Sequence, residues 1–203
     1  MDCGGNSLSD ERIGEALIKE VMEEELKDVA TEDVPSLSPL VHQGQTDQEK
    51  IIVYQVSKLI KTIGNKLQDD VEYQQFNDSI DNLARIPGCK WDQFKQVAYK
   101  VFEDQITWER IALLFIAAGR LAVRLVEARL PQTILEFAKW VMDFFRQRLL
   151  GWIRNHGGWI SSFSELAIAP LRAVSRGPVY GVLLFVAGLT LGCLVTQRLM
   201  QHQ

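Results

Sequence analysis

The chain has 203 residues, of which 47% are hydrophobic and 24% charged, a balance typical of a globular protein with a core and not of a disordered one. Its three cysteines (Cys3, Cys89 and Cys193) are too few and too scattered for a disulfide framework or a zinc site, so we interpret them as reduced thiols of a cytosolic protein. Residues 1–104 hold 21 acidic and 11 basic side chains, whereas residues 105–203 hold 5 and 11. A basic, apolar C-terminal half without a zinc-finger or RNA-binding signature favours membrane lipids over nucleic acid as a partner.

The N-terminal half predicts two amphipathic helices joined by a loop. After a flexible segment at residues 1–8, Ser9 is a typical helix cap, and apolar residues recur about every four positions as far as Val29. Residues 30–47 contain prolines and glycine without periodicity and predict a loop. A second helix is predicted at about residues 48–71. Its narrow apolar stripe consists of Val56, Ile60, Ile63 and Leu67.

The centre of the chain predicts a buried helical hairpin. Short helices at residues 73–83 and 91–104 precede the run IALLFIAAG at residues 111–119, which has no polar side chain. A helix that is apolar on all sides must be buried in a core or in lipid. Pro131 suits the first turn of a partner helix. Because no strand pattern occurs, we predict an all-α bundle of about eight or nine helices at residues 9–169, built around this hairpin.

The C-terminal segment predicts a transmembrane tail anchor. Residues 177–197 carry no charge, and such a helix, at ~1.5 Å per residue, spans the ~30 Å core of a bilayer. We therefore predict a linker at residues 170–177 and an anchor at residues 178–199, the alternative being a buried core helix. Residues 160–176 have no assigned role beyond a possible extra helix. The anchor residues are Val179, Leu183, Leu184, Gly188, Gly192 and Val195, among which the two glycines form a GxxxG pair.

No pattern in the sequence indicates catalysis. His42, His156 and His202 lie far apart without metal-site spacing, and no nucleophile elbow, phosphate-binding loop or dinucleotide fingerprint occurs. We expect no enzyme activity, no cofactor and no metal.

Three segments resemble the homology motifs of the Bcl family of apoptosis regulators. Residues 146–160 include GWIRNHGGW, similar to the second motif, W-I-x-x-x-G-G-W. Residues 106–125 begin ITWER, similar to the first motif, N-W-G-R followed by an apolar helix. Residues 56–70 include LIKTIGNKL, similar to the third motif, L-x-x-x-G-D. With the apolar hairpin and tail, the resemblance covers about residues 10–200 and is nearest to executioners of the Bax and Bak type.

The resemblance implies that the third-motif helix fits a groove formed by helices carrying the other two motifs. It assigns the helix contacts to Val56, Ile60, Ile63, Gly64, Asn65 and Leu67. It assigns the groove to Trp108, Glu109, Arg110, Gly151, Trp152 and Trp159. The alternative interpretation of the apolar stripe is a plain core face, and in a resting monomer both hold.

Two positions depart from the family pattern. Asn65 stands where the family has an Asp after the glycine, and Thr107 and Glu109 replace the Asn and Gly of N-W-G-R. Family members commonly pair that Asp with the Arg, here Arg110. A neutral Asn65–Arg110 hydrogen bond contributes ~0.5–1.5 kcal/mol, against ~1.5–3 kcal/mol for a charged one. We therefore predict weaker or differently specified third-motif pairing.

The resemblance implies a pro-apoptotic regulator that is activated by third-motif helices, homo-oligomerises and permeabilises the mitochondrial outer membrane. Its partners would be copies of itself, other Bcl family proteins through helix and groove, and mitochondrial lipids. It would occupy the cytoplasm and the outer membrane, with the domain facing the cytosol. The alternatives are a pro-survival member that sequesters third-motif helices in its groove, and a tail-anchored helical adaptor.

Overall fold

A computed structural model describes most of the chain up to residue 159. The described residues are 5–27, 29, 34–42, 44–67, 74, 78, 92–103, 105–128 and 131–159. For some of them, including Leu67 and Glu109, the description is of the backbone alone. The predicted helix at residues 73–83 is outside this part apart from two isolated positions, and so is the whole predicted tail at residues 178–199. Among the described residues, no helix is both long and apolar enough to cross a bilayer.

The described part of the chain is helical and contains no strand. Its α-helices are α1 (Gly5–Leu26), α2 (Asp47–Leu67), α3 (Asp92–Val101), α4 (Trp108–Glu127), α5 (Pro131–Phe144) and α6 (Leu150–Asn155). A 3-10 turn, Ser38–Leu40, lies in the α1–α2 loop, and a π-helical turn, Phe145–Leu149, joins α5 to α6. Helix α1 begins at Gly5 and not at the predicted cap Ser9, so residues 5–8 are helical and the predicted flexible segment is shorter than expected.

Helix α4 lies at the centre of the bundle. Each residue from Ile111 to Ala118 has at most 6% of its surface exposed, as expected of a helix with apolar side chains on every face. Helices α1, α2 and α5 each pack against α4. Helix α5 begins at Pro131. The prediction of a buried central hairpin is confirmed.

The π turn brings the end of α5 against α1. A π turn adds one residue to a helical turn and redirects the side chains that follow it. The ring of Phe145 is completely buried and lies directly on the backbone of α1 at Gly14, where a methyl group would overlap the ring. Gly14 therefore permits a close approach between α1 and the α5–α6 segment that no larger residue allows.

We expect Gly14→Ala to lower the free energy of unfolding. Overpacking against Phe145 costs about 1–3 kcal/mol, more than the ~0.5–1 kcal/mol that alanine contributes over glycine in a helix. Gly151 is the matched control, because it is also helical but a methyl group there contacts nothing within 4 Å. Gly151→Ala should raise the free energy of unfolding, measured by urea denaturation. A gain in both variants would show that Phe145 moves aside without cost.

Candidate functional site

The predicted third-motif stripe on α2 is part of the core. The exposed fractions of Val56, Ile60 and Ile63 are 5%, 2% and 2%. Leu67 ends the helix, and its side chain is outside the described part. Gly64 is buried, whereas Asn65 is exposed. The structure thus joins three predicted contact residues in one buried face, and their role in binding another protein remains a prediction.

Helix α2 is held at its start by a capping box. The Thr46 hydroxyl accepts a hydrogen bond from the Glu49 amide at 3.2 Å, and the Glu49 carboxylate accepts one from the Thr46 amide at 2.9 Å, which satisfies two unpaired donors of the helix. The same carboxylate forms an ion pair with Arg12 of α1 at 2.6 Å. Burial alone would raise the pKa of Glu49, but the hydrogen bonds from Arg12 and Thr46 outweigh it, and the pKa is lowered.

Arg110 bonds to the turn before α4 and not to Asn65. Its Nη1 donates to the carbonyl of Val101 at 2.6 Å and to that of Gln105 at 2.9 Å, so it links the end of α3 to the start of α4. Among the described contacts of the chain there is no Asn65–Arg110 hydrogen bond, and the weaker or differently specified third-motif pairing stays a prediction. The carbonyls at the end of a helix have no partner within the helix, and the Arg110 guanidinium supplies a donor to that of Val101.

The local structure explains why Thr107 can stand where the first motif has Asn. Thr107 is the N-cap of α4, and its hydroxyl accepts a hydrogen bond from the Arg110 amide at 3.3 Å. Asn and Thr both serve at this position because each offers a side-chain oxygen to the first helical amides. Glu109 follows in the first turn, where an acidic residue suits the positive end of the helix dipole. The altered motif therefore retains its capping function.

The tryptophans of the first and second motifs form one cluster. The ring of Trp108 lies 5.3 Å from that of Trp152 and 5.4 Å from that of Trp159, measured between centroids. Trp159 is 1% exposed, while Gly151 is exposed on α6. Of these predicted groove residues, the three tryptophans lie together and Gly151 lies apart from them. The tryptophan rings cover the core where α4 begins, so in this structure they are part of the core.

The glycine pair of GWIRNHGGW allows this cluster to dock on α1. Gly158 has φ +74°, a left-handed conformation that favours glycine, and a methyl group there would lie 2.7 Å from Oδ1 of Asp10. That oxygen accepts a hydrogen bond from the Trp159 amide at 3.2 Å, and the Asp10 carbonyl accepts one from the indole Nε1 at 2.9 Å. Burial raises the pKa of Asp10, and the Trp159 hydrogen bond and Arg154 oppose part of the rise.

A second buried carboxylate, Glu15, ties three segments together. It is completely buried and accepts hydrogen bonds from Nε and Nη2 of Arg146 in the π turn, the first at 2.8 Å. His42 of the α1–α2 loop contacts it through the backbone amide at 3.2 Å and through ring Nδ1 at 2.7 Å. Glu11 lies beside Glu15 and pairs with Arg146 at 3.4 Å and with Arg154 at 3.7 Å.

This cluster contains three groups that ligate metals elsewhere, but its other members suit an ion-pair network. Ligand atoms of Glu11, Glu15 and His42 lie within 4.8 Å of one another. Two guanidinium groups, from Arg146 and Arg154, already face those carboxylates, and a cation placed among them would be repelled.

Comparison with known proteins identifies the domain. Residues 60–159 match the family described as apoptosis regulator proteins, Bcl-2 family. The chain carries a Bcl-2 family domain.

The Bcl-2 family domain is similar to the apoptosis regulator BAX and to Bcl-2-like protein 1. It is 30% identical to the apoptosis regulator BAX of Bos taurus and of Homo sapiens over 134 residues, which is 66% of this chain and 63% of each relative. It is 28% identical to Bcl-2-like protein 1 of Homo sapiens over 127 residues, covering 62% of this chain and 53% of that protein. The chain thus spans less than two thirds of the length of these curated relatives.

Two solved structures share the Bcl-2 fold with this chain at 19% sequence identity. Trichoplax adhaerens trBcl-2L2, bound to trBak BH3, has a TM-score of 0.53, covering 80% of this chain and 99% of that one. Chicken BOK has a TM-score of 0.54, covering 75% of this chain and 94% of that one. Apoptosis regulators of this family are generally not enzymes.

Sequence reasoning missed the carboxylates that fasten α1 to the rest of the Bcl-2 domain. Asp10 and Glu15 are both buried, and neither is among the residues that the sequence predicts for a site. A signal was present, since Asp10 shares a helix face with Ile13 and Leu17 at spacings of three and seven residues. An acidic residue in phase with apolar ones indicates a buried partner.

We expect Arg146→Met to destabilise the domain by about 3–5 kcal/mol, because it leaves the carboxylate of Glu15 buried without its main partner. Arg148→Met is the matched control: Arg148 is exposed in the same π turn and its guanidinium lies 5.8 Å from the centre of the Tyr99 ring. That variant should lose no more than about 1 kcal/mol. Adding Glu15→Gln to Arg146→Met should recover part of the loss in urea denaturation. Equal losses for the two single variants would contradict a special role for Arg146.

The two buried carboxylates with shifted pKa values should affect the pH dependence of stability in opposite directions. The raised pKa of Asp10 means that the folded state binds the proton more tightly, so its contribution falls as the pH rises above the ordinary value of 3.8. The lowered pKa of Glu49 gives a contribution that is present above 4.5 and is lost as the pH falls through the folded-state value. Asp10→Asn and Glu49→Gln should therefore tilt the stability-versus-pH curve, measured by urea denaturation between pH 3 and 7, in opposite senses. A tilt of the same sign in both would be inconsistent with these shifts.

Proposed function

We propose that this protein is a pro-apoptotic executioner of the Bax and Bak type. An activating third-motif helix would loosen the resting bundle, α2 would leave it and enter the groove of a second copy, and the oligomer would permeabilise the mitochondrial outer membrane. The apolar segment at residues 178–199 would anchor the chain there, with the domain facing the cytosol. The 30% identity to BAX over 134 residues supports this proposal.

The observation that carries the proposal is the buried stripe of α2. Val56, Ile60 and Ile63 are all at most 5% exposed, and burial of each stabilises the fold by about 1.5–3 kcal/mol. Exposing all three would cost roughly 5–9 kcal/mol, which approaches the whole stability of a typical domain. Helix α2 therefore leaves the bundle only if another apolar surface receives it, and a groove on a second subunit is such a surface.

The apolar character of the α4–α5 hairpin is the reason to expect that a membrane is the second environment of this hairpin. The run at residues 111–119 is apolar on every face, so both a protein core and lipid satisfy it. Nine helical residues extend about 14 Å, less than half of the ~30 Å bilayer core, which favours a hairpin lying in the interface. Arg146 and Arg154, which pair with Glu11 at rest, would then face anionic headgroups.

A pro-survival role is the second candidate. The 28% identity to Bcl-2-like protein 1 is close to that with BAX, and a pro-survival protein would share the fold and hold the third-motif helices of other proteins. A tail-anchored adaptor is the third, although it gives no reason for so apolar a hairpin.

Release of a 10 kDa fluorescent dextran from cardiolipin-containing liposomes tests the proposal. The full chain is added with a synthetic peptide of residues 47–67, so that substitutions in the peptide leave the folding of the protein untouched. We expect release with the native peptide and none with Ile60→Glu/Ile63→Glu, because charges cannot enter an apolar groove. Ile51→Glu is the matched control, since Ile51 is 58% exposed on the same helix, and this peptide should remain active.

The other outcomes separate the alternatives. Absence of release, with protection of the liposomes against an added Bax-type pore former, would identify a pro-survival protein. Absence of both release and protection would leave the adaptor. Release that occurs equally with all three peptides would refute a role for the apolar stripe.

A further inference from the structure

A cavity of about 300 Å³ lies between α1, α2 and α4, away from the tryptophan cluster. Its apolar lining comes from all three helices: Val21 of α1, Ile60 of α2 and Ile116 of α4. These side chains are 8%, 2% and 3% exposed, so the cavity reaches the core. Its size is at the lower limit of small-molecule sites, which are mostly apolar with a few placed polar groups.

The charged groups around the cavity are segregated by sign. The α1 wall carries Glu20, Glu24 and Glu25, whereas the facing walls carry Lys58 and Lys61 of α2 and Arg120 of α4. Lys61 bonds to Glu24 across the two walls. The hydrogen bonds from Lys27 and from Lys61 lower the pKa of Glu24 to about 2. Within the described part of the chain, Glu20 and Glu25 form no ion pair. Among the described lining residues, the three acidic and three basic side chains balance in number but lie on opposite walls.

We propose that this cavity binds a small zwitterion with an apolar body and that such a ligand holds α2 in the resting bundle. The ammonium group would face Glu20 and Glu25 on α1, and the anionic group would face Lys58 on α2. Neighbouring helix axes lie about 8–10 Å apart, so a flexible chain of about eight carbons spans the walls. The apolar chain would cover Val21, Ile60 and Ile116.

Binding there opposes the departure of α2 by mass action. Seven of the lining residues belong to α2, from Tyr54 to Asn65, so the cavity exists only while α2 is in place. A ligand that binds one of two states shifts the equilibrium toward it by the factor 1 + [L]/Kd. The inference rests on the proposed function only for the consequence that retaining α2 prevents activation.

Three probes with the same eight-carbon chain test the site. The full-length ¹⁵N-labelled protein is titrated with 8-aminooctanoate, octylammonium and octanoate, and amide chemical shifts are followed by NMR. We expect saturable shifts at Val21, Ser57 and Ile116 with the zwitterion, at a Kd in the millimolar range typical of so small a ligand. Each singly charged probe should bind at least tenfold more weakly. No saturable shift at these amides, or equal affinity for all three probes, would overturn the proposal.

Substitutions on α1 test whether the ammonium group of the ligand lies against Glu20 and Glu25. Glu20→Gln/Glu25→Gln should weaken 8-aminooctanoate about tenfold and leave octanoate unchanged or slightly tighter. Glu23→Gln is the matched control, because Glu23 lies on the same helix, pairs with Lys19 at 2.9 Å and does not line the cavity. Unchanged binding in the double variant would contradict the assigned orientation, and thermal unfolding checks that both variants are folded.

Hydrogen exchange tests the effect on α2 independently of any membrane activity. At a concentration of 10 Kd, the zwitterion should slow exchange of the α2 amides about elevenfold. If hydrogen exchange of the α2 amides were unchanged although the chemical shifts are saturated, α2 would open while the ligand stays bound. That result would refute the claim that the ligand holds α2 in the resting bundle. Failure of the liposome assay with success here would reject the proposed function while the site stands.

Discussion

The described fold depends on one constraint: helix α4 is apolar around its whole circumference. A surface helix needs cover on one side only, but α4 must be enclosed, since no face between Ile111 and Ala118 tolerates water. The other helices are arranged accordingly, with α1, α2 and α5 packed around it or its hairpin partner. The other helices of the bundle therefore enclose α4, and any second environment for α4 must be equally apolar.

The helix that covers much of α4 is itself rich in acidic residues, and this conflict explains the polar contacts. Three carboxylates are buried in the described part of the chain: Asp10, Glu15 and Glu49. Each joins α1 to another element, at the Trp159 corner, at the π turn with the α1–α2 loop, and at the start of α2. A buried charge is tolerated only with good partners, so α1 is positioned more sharply than apolar packing alone would achieve.

The sequence predicted most of the described helices, the buried hairpin, the α2 stripe and the resemblance to the Bcl family, because periodicity and local motifs report on each. It predicted neither the start of α1 at Gly5 nor the partners of Glu15 and Arg110. Those depend on which segments meet: Arg146 reaches Glu15 across 131 positions of the chain, and no local pattern encodes such a contact. No sequence pattern predicted the π turn either, because its five residues continue the apolar periodicity of α5.

The two helices that cover α4 are held by the same kinds of contact in different proportions. Helix α2 is held mainly by aliphatic burial, worth roughly 5–9 kcal/mol for Val56, Ile60 and Ile63, and the exposed Lys61–Glu24 pair adds at most about 1 kcal/mol. An apolar partner surface can replace that burial, whereas the Arg12–Glu49 ion pair at the start of α2 weakens as acid protonates Glu49. Helix α1 buries Ile13, Leu17 and Met22 in the core as well, and its contacts with buried carboxylates add a part that responds to charge. Departure of α2 would therefore also break an ion pair of α1, so the positions of the two helices are coupled through that contact.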